Sequence, residues 1–367
     1  MSLKASYFKK TFKFKFDAGT SRGILREKVS YFILISDTQK KTVFGIGEAA
    51  PLRGLSIDDV PDFEKKLNHI TYNFNLLDIE VFDWNINIIV DQLINNKFPS
   101  IIFGFETALW DYLNGGQRVI FNNEFARGQR KVEINGLIWM GSKKIMEEQI
   151  SKKINEGYKT IKMKVGAIDF DSEVKLLESI RNKFDKFSIT LRVDANGAFD
   201  TNQAREALKT YRKLDIHSIE QPIEAGQPDE MAELCRENII PIALDEELIG
   251  VSDYVEKRNL LKQIVPQYII IKPTLVGGLR ASKEWIDAAN QFDVEWWATS
   301  ALESNIGLNA ICQFAAEYPT NLPQGLGTGQ LYVRNIESPL EIENGYISLS
   351  GPDNWNISEL TDSVEFQ

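Results

Sequence analysis

The sequence predicts an α/β protein, a (β/α)8-type TIM barrel behind an N-terminal α+β unit. Three observations carry that expectation. From about residue 132 to 330, short apolar strand signals alternate with amphipathic helix signals at a spacing of roughly 25 to 30 residues. Residues 1–120 lack this alternation. The one glycine cluster, GLGTG at 325–329, opens no helix, so the Gly-rich first turn of an open nucleotide-binding sheet is missing.

Taken in order, FKKTFKFKF (8–16) alternates aromatic and basic residues as an amphipathic strand does, and VSYFILIS (29–36) is an apolar strand. GIGEAAPLRGLS (45–56) breaks with Gly and Pro and reads as a loop. Helical spacing runs through IDDVPDFEKKLNHI (57–70) and FPSIIFGFETALWDYLNGGQ (98–117), where Gly115-Gly116 supplies a stop. These segments make a capping unit over 1–120. The barrel, 121–330, begins with the strand VEINGLIW and the helix SKKIMEEQISKKINEG. Strands TIKMKVG, SITLRVDANG, HSIEQP, IPIALDEE, QYIIIKP and VEWWATSALES follow, each with a helix after it, and NLPQGLGTG closes the series. Residues 331–367 form a C-terminal segment expected to pack back on the cap.

Composition narrows the function. Across 367 residues, 42 Lys and Arg face 52 Asp and Glu, and the net charge of −10 argues against nucleic acid as a partner. The N-terminus has no apolar signal core, and no apolar run reaches the roughly 18 residues of a membrane span. Two cysteines, Cys235 and Cys312, are too few for a disulfide framework and read as buried thiols of a cytoplasmic protein. With only His69 and His217 present, zinc and Ser-His-Asp chemistry are disfavoured. His217, just before a strand, reads as structural. Acid–base work then falls to Lys, Asp or Glu.

Barrel chemistry gathers at the C-terminal ends of the strands. Here successive strand ends carry Lys162 and Lys164, then Asp194, Glu220 and Asp245, then Lys272. Three convergent carboxylates would raise one another's pKa, which a hard divalent cation relieves; oxygen-only ligation suits Mg²⁺, with Mn²⁺ as substitute. A carboxylate substrate on that cation acidifies its α-carbon, and a lysine can take the proton. Neighbouring cations are expected to lower the lysine's pKa toward the working range. Lys164 is the expected base, and Lys162 tunes and orients it.

The motifs IKMKVG, RVDANG, IEQP, ALDEE and IKP, with the capping unit before them, resemble the enolase superfamily, specifically its muconate lactonizing enzyme subgroup. The resemblance implies an enolase-like barrel with Asp194, Glu220 and Asp245 as Mg²⁺ ligands, and with Lys164 and Lys272 as acid–base groups facing each other across a small-molecule carboxylate. The strand-seven segment ATSALES has no His, unlike mandelate racemase-like members. SALES (300–304) and GEAAPLRGLS (47–56) resemble o-succinylbenzoate synthases, although Arg53 stands where a small residue or Pro is usual. QGLGTGQ lacks the acid pair by which dipeptide epimerases hold an ammonium group. The implied activity is therefore o-succinylbenzoate synthesis, a lyase step of menaquinone biosynthesis: syn loss of water through an enediolate. The alternatives are an N-acylamino acid racemase or dipeptide epimerase of the same subgroup, or a non-catalytic carboxylate-binding barrel. Asn196, Ser300, Leu302 and Glu303 are expected to line the substrate pocket, and Arg22, in the loop Thr20–Ser21–Arg22, to reach a distal carboxylate. The sequence is compatible with an oligomer.

Overall fold

The computed structural model describes the chain except residues 1–2, 21–22, 38–42, 78–84, 167–168, 319, 352–353 and 362–367. The alternating N-terminus forms a long antiparallel hairpin of β1 (Leu3–Thr20) and β2 (Gly23–Asp37), to which β3 (Gly45–Ala49) adds. Phe12 and Phe14 are buried while Lys13 and Lys15 are exposed, as the two-residue period of a strand demands. Helices α1 (Phe63–Leu76), α2 (Ile86–Leu93) and α3 (Pro99–Leu113) pack with this sheet around a core that includes Leu67, Phe74, Ile101 and Phe105.

The loop expected over 45–56 needs correction, because its first five residues are β3. Gly45 and Gly47 are contact surfaces rather than chain breaks. A Cβ on Gly47 would stand 1.9 Å from the Gly104 carbonyl oxygen, and one on Gly45 2.1 Å from that of Ala108, both on α3. Without side chains at these two positions, α3 lies directly on the strand.

The second unit runs β4 (Val132–Glu133), β5 (Gly136–Ile138), α4 (Lys143–Asn155), β6 (Thr160–Lys164), α5 (Phe170–Arg181), β7 (Thr190–Asp194), α6 (Thr201–Lys213), β8 (Ser218–Glu220), α7 (Pro228–Glu237), β9 (Ile242–Leu244), α8 (Tyr254–Ile264), β10 (Tyr268–Ile271), a short α9 (Pro273–Val276), α10 (Gly278–Asn290), β11 (Glu295–Ala298) and α11 (Asn305–Glu317). Strands β5 to β11 make one parallel sheet in sequence order. Side chains mark several helix starts: Ser142, Asp169 and Asp253 accept from first-turn amides, and Asp200 and Gln203 form a reciprocal capping box.

The eight-stranded expectation is met here by seven strands. Gln324 and Gly325 make isolated parallel bridges to Ile134 and Thr299, on either side, but no ladder. Pro323 has no amide hydrogen to give, and Gly325 and Gly327 offer no side chain to pack, so the segment bridges both neighbours without extending into a ladder.

Beyond it, β12 (Leu340–Glu343) and β13 (Tyr346–Leu349) form a hairpin that pairs with β4, and α12 (Ser358–Thr361) follows. The tail also returns to β1: the Val333 amide donates to the Lys13 carbonyl at 2.9 Å, and Leu360 joins a core cluster with Phe12, Phe14 and Tyr332. The described residues of this tail thus touch both units.

Two buried carboxylates join the units near one rim of the sheet. Glu48 of β3 accepts from the Ser304 and Gly307 amides, each at 2.9 Å, at the start of α11. Glu106 of α3 accepts from the Leu279 amide at the start of α10. Free N–H groups at a helix N-terminus suit such acceptors. Burial nevertheless pushes both carboxyls up, Glu106 from 4.5 to about 7. Cys235 and Cys312 are buried free thiols, and the His217 ring stacks on Tyr268 at 5.3 Å. Among the described residues no helix is long and apolar enough to cross a membrane.

Candidate active site

The strand TIKMK is buried along its whole length. Ile161 and Met163 enter the core between sheet and helices. Lys162 and Lys164 take the opposite side, yet only 6% and 8% of their surface is exposed. They are interior lysines, not solvent-facing ones. The parallel register puts Lys164 beside Asp194 and Asp194 beside Glu220, one row across three adjacent strands. Asp245 follows β9 and Lys272 follows β10, so both fall at the same C-terminal rim.

The charges interleave. Lys162 Nζ lies 2.6 Å from Glu220 Oε2 and 2.9 Å from Asp194 Oδ2. Lys164 Nζ lies 3.1 Å from Asp194 Oδ2 and donates to Asn196 Oδ1 at 2.6 Å. Lys272 donates to Asp245 and stands 4.0 Å from Glu220 Oε1, an oxygen that itself accepts no hydrogen bond. The acids around them raise the pKa of two lysines, Lys162 and Lys272. Burial pulls Lys162 down, but Asp194 and Glu220 outweigh it and hold the ammonium well above its ordinary value. Lys272 is raised in the same way by Asp245 and Glu220 against burial. Asp194 is held far below the usual carboxylate range: burial opposes this, and Lys162 and Lys164 prevail.

Among the described residues, no three His, Cys, Asp or Glu side chains form a ready-made metal cage. The expected acid trio is present with lysine ammonium groups between its members. The donor set still fits a hard cation. It is all oxygen, one carboxylate from each of three neighbouring strands, with one Glu220 oxygen unsatisfied and every competing cation the mobile end of a lysine.

Lys162, Lys164, Asp194, Asn196 and Lys272 line a cavity of about 360 Å³, whereas Glu220 and Asp245 sit behind the lysines. Its roof comes from the N-terminal unit, through Ile24, Leu25 and residues 52–55. Buried Lys28 donates to the carbonyls of Ala50 and Pro51, at 2.9 and 3.3 Å, and so ties down the start of that roof loop. Asn196, at φ 45°, also donates to Glu246 at 3.0 Å. Ser300 and Leu302 line the cavity as expected, but Glu303 does not. Glu303 is fully buried, accepting from the Thr274 and Ser300 hydroxyls, and so holds Ser300 from behind. Leu302 adopts φ 66°, a backbone state costly for a branched residue, with its carbonyl fixed by the Tyr332 hydroxyl. Ser21 and Arg22 lie outside the described residues, as does the side chain of Thr20.

Sequence reasoning missed Asn135, Leu137 and Trp139, which line the cavity from alternate positions in and beside β5, and Thr299, Gly325 and Thr328. The alternate spacing of the first three was a usable signal, since i, i+2 and i+4 share a face.

The family described as enolase C-terminal domain-like matches residues 145–353. An o-succinylbenzoate synthase from Desulfotalea psychrophila is 40% identical, over 95% of this chain and 99% of that protein. The crystal structure of MenC from the same organism superposes with a TM-score of 0.85 at 37% identity, covering 95% of this chain and 100% of that one. A substrate-liganded L-Ala-D/L-Glu epimerase from Bacillus subtilis shares the fold at 19% identity, with a TM-score of 0.82 and coverage of 95% and 96%.

Proposed function

Because the chain belongs to the enolase superfamily, on its muconate lactonizing enzyme-like side, we propose that it is an o-succinylbenzoate synthase, a carbon–oxygen lyase. The observation that carries this reading is likeness to one such enzyme sustained along 95% of the chain. The cavity chemistry agrees with it. Among the described lining residues Asp194 is the sole carboxylate, against Arg53, Lys162, Lys164 and Lys272. Such a wall receives an anion and offers nothing to the ammonium end of a dipeptide.

The reaction removes water from a hydroxycyclohexadiene carboxylate and leaves an aromatic ring. Lys164 takes the proton α to the substrate carboxylate and returns it to the departing hydroxide on the same face. Lys272 stands on the opposite face as a cation, steadying the negative charge that builds on the substrate. Lys162, fixed between Asp194 and Glu220, keeps its charge and positions Lys164. Asp194, Glu220 and Asp245 would hold Mg²⁺, or Mn²⁺ in its place, and that ion supplies Lewis acidity at the substrate carboxylate. Three lysines balance three acids here, so a divalent ion held among them would favour an incoming carboxylate.

The parallel sheet is read as an eight-stave barrel whose last stave is the bridged segment at 324–325, with residues 1–120 as its cap, 121–330 as the barrel and 331–367 as a tail. Two buried free thiols support a cytoplasmic place for the enzyme, in the menaquinone pathway.

The test follows dehydration by the ultraviolet absorbance of the new ring, with Mg²⁺ present. Turnover that Lys164→Ala and Lys272→Ala each abolish is the expected result. Absence of dehydration, combined with rapid α-deuteration of N-succinyl amino acids in D₂O, would replace this reading with the racemase.

A further inference from the structure

Glu303 is fully buried, yet it pairs with no lysine or arginine among the described residues. Its two oxygens take hydroxyl hydrogens instead, Oε1 from Thr274 and Oε2 from Ser300. Burial pulls Lys28 below its ordinary value and Glu303 leads the charges that oppose this, but Lys28 gives its hydrogens to the Ala50 and Pro51 carbonyls. A buried carboxylate costs stability unless its hydrogen bonds offset the loss of water. Thr274 stands two residues past Lys272, in the first turn of α9, and Ser300 stands two residues past the end of β11. One carboxylate therefore ties the strand end that carries Lys272 to the wall that carries Ser300. Glu48 of the N-terminal unit grips the adjoining residues through the Ser304 and Gly307 amides.

The consequence for Ser300 is a fixed polarity. A hydroxyl has one hydrogen and two lone pairs. Ser300 gives its hydrogen to Glu303, and one lone pair accepts from the Leu302 amide at 3.1 Å. The positive φ of Leu302, 66°, belongs to the turn that brings this amide back onto Ser300 and sends Glu303 inward. The Ser300 hydroxyl makes no further hydrogen bond among the described residues, and Ser300 lines the reaction cavity. What it has left for the cavity is a lone pair. Ser300 accepts there and cannot donate, whereas Arg53, Lys162, Lys164 and Lys272 on the same walls are donors.

We propose that Glu303 is a positioning residue that fixes Ser300 as an acceptor, and that Ser300 takes the hydrogen of the hydroxyl the substrate loses. The inference rests on the dehydratase reading and deepens it. With its acids ionised, a hydroxycyclohexadiene carboxylate has one O–H, the departing hydroxyl, so this is the group that matches a lone pair. Anchoring that hydrogen leaves the lone pairs of the hydroxyl oxygen to the Lys164 ammonium. The C–O bond then breaks with its electron pair on oxygen. Lys164 gives that oxygen the proton taken from the α-carbon, and water forms with its original hydrogen still on Ser300.

The test runs the dehydration in D₂O with the Mg²⁺-loaded full chain. Product is followed by ring absorbance, and α-deuterium in recovered substrate by mass spectrometry. Ser300→Ala and Glu303→Met leave Lys164 to abstract the proton but slow the loss of the hydroxyl. The ratio of exchange to dehydration is therefore expected to rise about tenfold or more in each. Damage to the fold alone lowers both rates together, and an unmoved ratio in either variant would overturn the proposal. Neutron diffraction of the unaltered, deuterated protein decides the polarity even if Glu303→Met fails to fold. The Ser300 deuterium is expected on the line to Glu303, and one aimed into the cavity would overturn the proposal as well. Failure of the dehydratase reading shows differently, as no dehydration by the unaltered protein.

Discussion

Replacing Glu106 by Gln should make the protein more resistant to unfolding at alkaline pH, though the change removes a charge from a helix N-terminus. Glu106 is 2% exposed, and burial is the leading cause that lifts its carboxyl from 4.5 to about 7. A carboxyl whose folded pKa exceeds its unfolded one gives stability that is fully present below 4.5 and lost as the pH rises through 7. At about 1.4 kcal/mol per pH unit, that loss comes to about 3 kcal/mol for the shift from 4.5 to about 7. Glutamine has the same shape, and its amide oxygen can still accept from the Leu279 amide. Urea unfolding followed by tryptophan fluorescence at pH 4.5 and 8.5 measures the difference. The variant's advantage should grow by about 3 kcal/mol between the two. A gap that stays constant with pH, or one that shifts toward the unaltered protein at pH 8.5, would refute the reasoning.

Three further outcomes follow from the site and its frame. Lys164→Ala and Lys272→Ala should each lower kcat by about a thousandfold or more with unfolding midpoints little changed, because both lie at the cavity wall; equal losses of stability and activity would make these lysines structural. Chelation should abolish turnover and Mg²⁺ or Mn²⁺ restore it, as monitored by ring absorbance; turnover that survives chelation would dismiss the carboxylate trio as a metal site. Gly47→Ala should cost about 1–3 kcal/mol and lower Tm, since its Cβ would stand 1.9 Å from the Gly104 carbonyl oxygen; an unchanged Tm would show that β3 and α3 part easily.

The strand-end row was legible because parallel strands in register turn sequence order into spatial order. Lys164, Asp194 and Glu220 could be placed side by side from their motifs alone. What the pattern could not convey was which neighbour each charge would choose. Lys162 lies between Asp194 and Glu220 and stays strongly protonated, and that balance depends on distances of about 3 Å that no motif encodes. Glu303 was misplaced for a related reason. A carboxylate beside two cavity residues reads as a ligand contact, yet the turn at Leu302 sends it inward to Thr274 and Ser300. Gly45 and Gly47 read as breaks because the close approach of α3 is a long-range fact. Asn135 passed unnoticed because an amide between two short strands announces nothing until its oxygen is seen to lack a partner.

The shared stratum of Lys164, Asp194 and Glu220 also limits how this chain can drift. Loss of a single residue within β7 would rotate Asp194 outward toward the helices and bring an apolar neighbour, Val193 or Ala195, inward. Insertions and deletions should therefore gather in the connecting segments, where they leave the facing of every stave intact, while the strands themselves change only by substitution.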